Sequence, residues 1–320
     1  MQPASIDVCI CTHNPRLEIL KIVIEALASQ TFDHSLFRVT IVDNASAPPI
    51  PDLVLNALVE AGISSRIIRE EMLGIARARL RAIEETDSEW LLFIDDDNEP
   101  AYDYIENGVA IIASTPGLGC FGGKLLLPPH IIPPERIKPL YPALALKDCG
   151  DEVITNNVTY WGPWEPPTAG AYVNRKVLEL FKKKSGELES FFLLGRKGLK
   201  SFASCEDSLL MRGAASIGLC SSYQPSLVIY HHINADRFNV LYLLRLMYGF
   251  GVSVTRLEMM IDRTNAHLAT LYGDKKSLRM TLLRNFVHES RSSVLQALSS
   301  FLYHLGSYRE YSRIASKGTV

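Results

Sequence analysis

The sequence predicts an α/β fold: a Rossmann-like, mostly parallel sheet with helices on both faces, followed by a helical C-terminal extension. Three observations carry this reading. Strand, turn and helix patterns alternate four times in the first hundred residues. Three of the predicted strands end in polar residues, as strands do when their carboxyl ends open on a ligand crevice. From about Asn234 onward the apolar spacing is helical to the end.

The elements follow in order. Ile6–Cys11 is a short apolar, β-branched run that breaks at Thr12-His13-Asn14-Pro15, and Leu17, Leu20, Val23, Ile24 and Leu27 repeat at helical spacing after it. Val39–Val42 is a second strand, ending at Asp43-Asn44. A helix near Leu53–Ala61 and a short strand near Arg66–Ile68 come next. Gly74 opens a helix through about Glu85, and Trp90–Ile94 is a buried strand that ends in Asp95-Asp96-Asp97. Residues 128–167 are rich in proline and tryptophan, too long for an ordinary connection, and are read as a lid or binding loop. Thr168–Val173 is read as a strand, Val177–Lys184 as a helix, and Glu206-Asp207 as a helix start. One domain is expected over residues 1–235 and a helical region over 236–320.

With 320 residues, 47% of them apolar, the chain can bury a sizeable core, and a net charge of −2 gives no reason to expect nucleic acid. The charge is unevenly spread. Residues 275–320 hold eight basic residues (Lys275, Lys276, Arg279, Arg284, Arg291, Arg309, Arg313, Lys317) against Glu289 and Glu310. That is +6, leaving −8 on residues 1–274. Leu278, Leu282, Leu283, Phe286 and Val287 fall near one helical face there, so the tail suits either an anionic membrane face or docking on its own domain or a partner subunit. Met1–Asp7 has neither a basic nor an apolar region, so no signal peptide is expected. Val240–Ile261 is apolar but interrupted by Arg245, Arg256 and Glu258, which reads as a packed helix. The six cysteines lack metal or disulfide spacing, and a cytoplasmic location with reduced thiols is expected, possible peripheral contact at the inner face of a membrane included.

Three adjacent carboxylates at a strand end repel one another and call for a cation. Mg²⁺ or Mn²⁺ fits such oxygen donors, with substrate phosphates completing the shell. A solvated turn is the bland alternative, and the convergence of Thr12/Asn14, Asp43/Asn44 and Asp95–Asp97 on one rim weighs against it. Glu206-Asp207 is either a pair of first-turn acids or a general base with its neighbour. His231, after the apolar run Leu227–Tyr230, is either structural or a ligand completing the coordination at Asp97. One of Arg77, Arg79 and Arg81 is expected near substrate phosphates, the others in solvent. Trp161 and Trp164 are either core or a stacking platform for a sugar ring.

Six segments taken together, in this order, resemble the large inverting GT-A glycosyltransferase family 2. They are Ile6–Asn14 (IDVCICTHN), Val42–Ser46 (VDNAS), Gly74–Arg81 (GIARARLR), Phe93–Pro100 (FIDDDNEP), Glu206–Arg212 (EDSLLMR) and His231–Arg237. The resemblance implies a GT-A fold and transfer of a sugar from a UDP- or dTDP-sugar to an acceptor hydroxyl, with inversion, in polysaccharide or glycoconjugate synthesis. It implies that Thr12, Asn14, Asp43 and Asn44 line the nucleoside pocket, with Asp43 on the base. Arg79 would approach the diphosphate, Asp95 and Asp96 would lie near ribose and metal, and Asp97 would be the principal ligand of a DXD motif, with Asp95 and His231 as further ligands of Mn²⁺ or Mg²⁺. Asp207 would be the catalytic base and Glu206 its neighbour. Gly170, in Thr168–Tyr172, would lie at the acceptor site with Trp161 and Trp164, beside the acceptor-side loop at about 128–167. The acceptor would be a saccharide or lipid-linked saccharide.

Two features depart from the family: Leu80 stands where Asn is frequent, and Ser204-Cys205 lacks the acidic or aromatic residues common before the base. A metal-dependent sugar nucleotidyltransferase is the alternative enzyme, although Thr12–Pro15 is no glycine-rich phosphate loop. A non-catalytic nucleotide-sugar-binding protein is the alternative outside catalysis.

Overall fold

A computed structural model describes residues 6–188, 191–197, 202–262, 264–290 and 293–316, the side chains of Pro142, Glu289 and Ser290 apart. The chain forms two compact units. The first comprises Met1–Ile131, Leu146–Glu187 and Asp207–His232, and the second Ile132–Ala145, Leu188–Glu206 and Ile233–Val320. The second unit thus takes two segments from inside the stretch 1–235 in addition to the C-terminal helices.

In the first unit, β1 (Ile6–Thr12), β2 (Phe37–Asn44), β3 (Ser64–Glu70) and β4 (Trp90–Ile94) pair in parallel in the order β3-β2-β1-β4. Every residue of β1 and β4 is buried, the mark of strands covered on both faces. Period two divides their side chains. Ile6, Val8 and Ile10 share a core with Leu20, Val23, Ile24 and Leu27 of α1 (Leu17–Ala28). Cys9 and Cys11 point to the other face, also buried, and α3 (Ile75–Glu84) packs on β1 and β2. None of the six cysteines is in a disulfide. Between β2 and β3 lies α2 (Asn56–Glu60), preceded by a 3₁₀ turn at Asp52–Leu55.

The parallel run stops at β4. The chain continues through β5 (Asn98–Pro100), α4 (Tyr104–Ser114), β6 (Leu118–Leu126), β7 (Ile154–Asn156), β8 (Ala171–Asn174), α5 (Arg175–Glu187), α6 (Glu206–Ser216) and β9 (Cys220–His231). Here β8 runs antiparallel to both β4 and β6, and β9 is parallel to β6 but antiparallel to β5 and β7. β6 is hidden in the sequence by its glycines, which depress strand propensity. Packing demands one of them: a Cβ on Gly123 would lie 1.9 Å from the Leu227 carbonyl oxygen.

Register decides what shares an edge. Thr12 lies opposite Asp43 and Ile10 opposite Ile94, so the chain leaving β4 at Asp95 emerges beside the ends of β1 and β2. His231 pairs with Asn98 across β9 and β5, which brings it next to Asp97.

The second unit is helical, with α7 (Val240–Ile261), α8 (Ala266–Tyr272), α9 (Lys275–Ser290) and α10 (Val294–Ala315). α7 is long and apolar enough to cross a membrane by length and composition. Within the unit it packs on α10 through small residues: a Cβ on Gly251 would meet the Tyr303 carbonyl at 1.9 Å, one on Gly306 the Tyr248 carbonyl at 2.3 Å, and Ser307 Oγ donates to the Gly251 carbonyl at 3.1 Å. One of its charges is paired within the unit, Arg256 Nε meeting Glu310 Oε1 at 2.8 Å.

Candidate active site

The acidic turn sits where β4 ends. Asp95 accepts from the Asn98 amide at 3.1 Å, and the backbone turns back into β5. Strand alternation therefore does not continue through Asp95–Asp97. Burial raises the Asp95 pKa. Arg79 opposes this, Asp97 adds to it, His231 opposes it and Asp207 adds to it, so all four charges fall within electrostatic reach of Asp95. Thr12 Oγ1 donates to Asp96 Oδ2, tying the end of β1 to the acidic turn.

Asp97 and His231 are neighbours, with Oδ2 to Nε2 at 3.5 Å, and the backbone adds a bond from the His232 amide to the Asp97 carbonyl at 2.8 Å. His231 is buried, and its Nδ1 has no hydrogen-bond partner. Two cis donor atoms of a cation held at about 2.1 Å lie about 3 Å apart. The separation thus suits a divalent ion shared by Asp97 Oδ2 and His231 Nε2. The expected trio of Asp95, Asp97 and His231 does not close into a cage, however. Among the described residues no three His, Cys, Asp or Glu side chains gather as a metal group. The turn after Ile94 is the reason, since it takes Asp95 out of step with Asp97. An ion on the Asp97–His231 pair must draw its remaining donors from substrate or water.

Of the three arginines of α3, Arg79 is the buried one. It donates to Thr168 Oγ1 just before β8 and acts electrostatically on Asp95. Arg81 pairs with Glu85 at 2.8 Å, and Arg77 is half-buried.

The two residues at the end of β2 are occupied by the chain itself. Asp43 accepts from the Ser46 amide at 2.9 Å, the Ile50 amide at 3.2 Å and Arg69 Nη1 at 2.9 Å. Burial pulls its pKa up. The Ser46 hydroxyl, the Ser46 and Ile50 amides and Arg69 outweigh it and hold the carboxyl below the usual range. Asn44 Nδ2 donates to the carbonyls of Glu70 and Met72, and its Oδ1 accepts from the Gly74 amide at 2.8 Å. Asn44 therefore holds the approach to α3. Asn14 sits in the left-handed region at φ 51° and receives the Ala47 amide on Oδ1 at 2.8 Å. Thr12 and Asp43 lie side by side across β1 and β2, while Asp43, Asn44 and Asn14 bond mainly to the backbone of residues 46–50 and 70–74.

α6 begins at Glu206, and the residue before it, Cys205, is left-handed at φ 71°, an uncommon conformation for a non-glycine residue. Glu206 is buried and Asp207 half-buried. Asp207 Oδ1 caps its own helix by accepting from the Ser208 amide at 2.9 Å.

The sequence reading missed Glu165. Arg212 Nε of α6 meets Glu165 Oε2 at 3.0 Å, with both side chains about 5% exposed. Lys147 Nζ donates to the Glu165 carbonyl at 2.6 Å. Burial raises the Glu165 pKa. Arg212 is the main opposing charge, and Asp207 reinforces the rise. The aromatic loop is thereby clamped to the helix that carries Asp207. A lone Glu between Trp164 and Pro166 was the available signal.

The two tryptophans separate. Trp161 is 69% exposed, whereas the Trp164 ring covers Gly162, where a Cβ would lie 2.2 Å from it, and meets Tyr160 edge-on at 5.9 Å. Gly170 is buried with φ 81°. A Cβ there would lie 2.4 Å from Ile229 Cδ1 and 2.6 Å from Tyr104 Oη, which itself donates to the Gly170 carbonyl. Packing and backbone conformation both require a glycine here.

Comparison with known proteins agrees with this geometry. The Glycosyl transferase family 2 model matches residues 7–123. Glycosyltransferase AglE of Haloferax volcanii is 29% identical over 120 residues, a match spanning 38% of this chain and 39% of that protein. Among solved structures, mannosyltransferase PcManGT from Pyrobaculum calidifontis, in complex with GDP-Man and Mn²⁺, superposes with a TM-score of 0.57 at 14% identity, over 98% of this chain and 88% of that one. S. aureus TarS 1–349 in complex with UDP-GlcNAc gives 0.51 at 14% identity, over 96% and 92%. At such identities the likeness concerns the fold, which is of the GT-A type. Residues 7–123, running from β1 through the acidic turn into β6, are thus the part of the chain that matches the Glycosyl transferase family 2 model.

Proposed function

We propose that this protein is an inverting glycosyltransferase that moves a sugar from a nucleotide-sugar to an acceptor hydroxyl. One observation carries the reading: Asp97 and His231 sit 3.5 Å apart beside the edge where β1, β2 and β4 end, with Arg79 and Asp207 in electrostatic reach of the adjoining Asp95. A cation site, a phosphate-facing arginine and a base candidate are what such a reaction needs together.

Asp97 and His231 would hold a divalent ion, which when bound neutralises charge on the diphosphate leaving group. Arg79 adds a fixed positive charge on the same side. Asp207 takes the proton of the acceptor hydroxyl as its oxygen bonds to the anomeric carbon. The bond from that carbon to the diphosphate oxygen breaks on the opposite face, so the configuration inverts. The rim of Thr12, Asn14, Asp43 and Asn44 shapes the nucleoside side. Asp43 contributes by holding residues 43–50 in place, because its lone pairs are largely taken. Trp161, exposed in the clamped loop, is suited to stack on the apolar face of an acceptor sugar. That acceptor is a saccharide or lipid-linked saccharide of polysaccharide or glycoconjugate synthesis. UDP- and dTDP-sugars are the expected donors, and the GDP-Man complex of the mannosyltransferase neighbour adds GDP-sugars to those worth testing.

Asp97→Ala tests the cation site by calorimetry with UDP and GDP in Mn²⁺ or Mg²⁺. Wild-type binding is expected to need the metal, and the variant to lose on the order of 10–100-fold or more in metal-dependent affinity. Equal affinities would remove Asp97 from the site.

A further inference from the structure

We propose that the outward face of α9 docks on an anionic lipid surface. The helix carries two apolar faces. Leu278, Thr281, Leu282 and Asn285 recur at i, i+3, i+4 and i+7 and are buried or half-buried. Leu278 joins the cluster of Met259, Leu268 and Tyr272, and Asn285 Nδ2 meets His304 Nε2 at 2.5 Å. This face is occupied within the unit. On the opposite side Met280, Leu283, Phe286 and Val287 are exposed, Met280 and Leu283 by 63% and 67%. The expected single face is thereby corrected: Leu278 and Leu282 belong to the packed side, and Met280 joins the exposed one.

Charge identifies the occupant. Lys275, Lys276, Arg279 and Arg284 are exposed among and beside these apolar side chains, and residues 275–288 contain no acid. None of the four forms an ion pair among the described residues. Arg291 and Lys317 lie outside the described residues. Two such faces repel one another, which disfavours a second copy of the chain. A polyanion without an apolar phase would meet the cations but leave four large apolar side chains in water. An anionic bilayer surface answers both, with the cations at the headgroups and Met280, Leu283, Phe286 and Val287 at the acyl boundary.

The test is co-sedimentation of the full chain with phosphatidylglycerol–phosphatidylcholine vesicles and with phosphatidylcholine alone. Binding is expected to the anionic vesicles and to fall steeply as salt shortens the screening length from about 10 Å to about 3 Å. Replacing Lys275, Lys276, Arg279 and Arg284 by Ala should lower the partition coefficient about five-fold per residue. Met280→Ser with Leu283→Ser and Phe286→Ser should abolish what remains. All these side chains are exposed, so melting temperatures should match the wild type and separate lost docking from misfolding. Equal partitioning of wild type and both variants overturns the proposal, as does equal binding to neutral vesicles. Concentration-dependent self-association that the Ser variants remove, without vesicle binding, also overturns it and makes the face a protein interface.

Discussion

Asp207→Asn is expected to lower turnover by about 10²–10⁴-fold while donor affinity stays unchanged, because general-base catalysis contributes about that much and the amide takes no proton. The change is nearly isosteric. Asn keeps an oxygen that can accept from the Ser208 amide, so the start of α6 survives. Removing the Asp207 charge also lifts one of the influences that raise Asp95, which leaves the acidic turn at least as ready to hold a cation. Glu206→Gln should cost less and express itself partly as weaker acceptor binding. Steady-state kinetics of both variants at saturating donor check the assignment. Near wild-type turnover in Asp207→Asn, with a collapse in Glu206→Gln, would move the base one residue back.

The second large effect concerns stability. Arg212→Met leaves the Glu165 carboxylate buried without its counter-charge and is expected to destabilise the fold by about 3–5 kcal/mol. The loss should depend on pH. Burial already raises the Glu165 pKa above its ordinary value, so its contribution to stability is present below the unfolded pKa of about 4.3 and lost as pH rises through the folded one. Arg212 is the main charge limiting that rise. Without it the folded pKa climbs further, and the melting gap between variant and wild type should widen from about pH 4 to about pH 8. Glu165→Gln combined with Arg212→Met should recover much of the loss, since no charge is then left buried. A gap independent of pH would mean that lost packing, not the orphaned carboxylate, sets the cost. Activity in the single variant should fall with the clamp, because Glu165 anchors the loop that presents Trp161.

Much of this architecture was legible in the residues. β1 and β4 are buried on both faces, so their apolar runs are continuous and their ends abrupt, and the acidic turn could be placed to the residue. The helices α1 and α3 announced themselves by spacing. β6 did not, because glycines are poor strand formers, while close approach of Ala214 at Gly119 and of the Leu227 carbonyl at Gly123 requires two of its three. The antiparallel β8 was read as a strand, but direction is set by pairing with β4 and β6, which no local pattern encodes.

The site divides along the same line. The meeting of Asp97 with His231 follows from the Asn98–His231 register across residues far apart in sequence, and spacing could only suggest it. Residue type is ambiguous where short polar side chains bond the backbone: Asn at a strand end suits both binding and turn support, and Asn44 bonds the Met72 carbonyl and the Gly74 amide. The Glu165–Arg212 pair joins a loop to a helix 47 residues on, and nothing local marks either partner as buried. In α9 the apolar residues divide between opposite faces, so counting them as one stripe merged a packing face with an exposed one.

The most direct test of the central claim is a screen of UDP-, dTDP- and GDP-sugars for metal-dependent release of nucleoside diphosphate in the presence of saccharide and lipid-linked acceptors. Nucleoside diphosphate should accumulate in step with the glycosylated acceptor, only with Mn²⁺ or Mg²⁺, and not with Asp97→Ala or Asp207→Asn. Nucleoside monophosphate transfer with pyrophosphate release would make the protein a nucleotidyltransferase, and tight donor binding without turnover on any acceptor would make it a binding protein; either result contradicts glycosyl transfer.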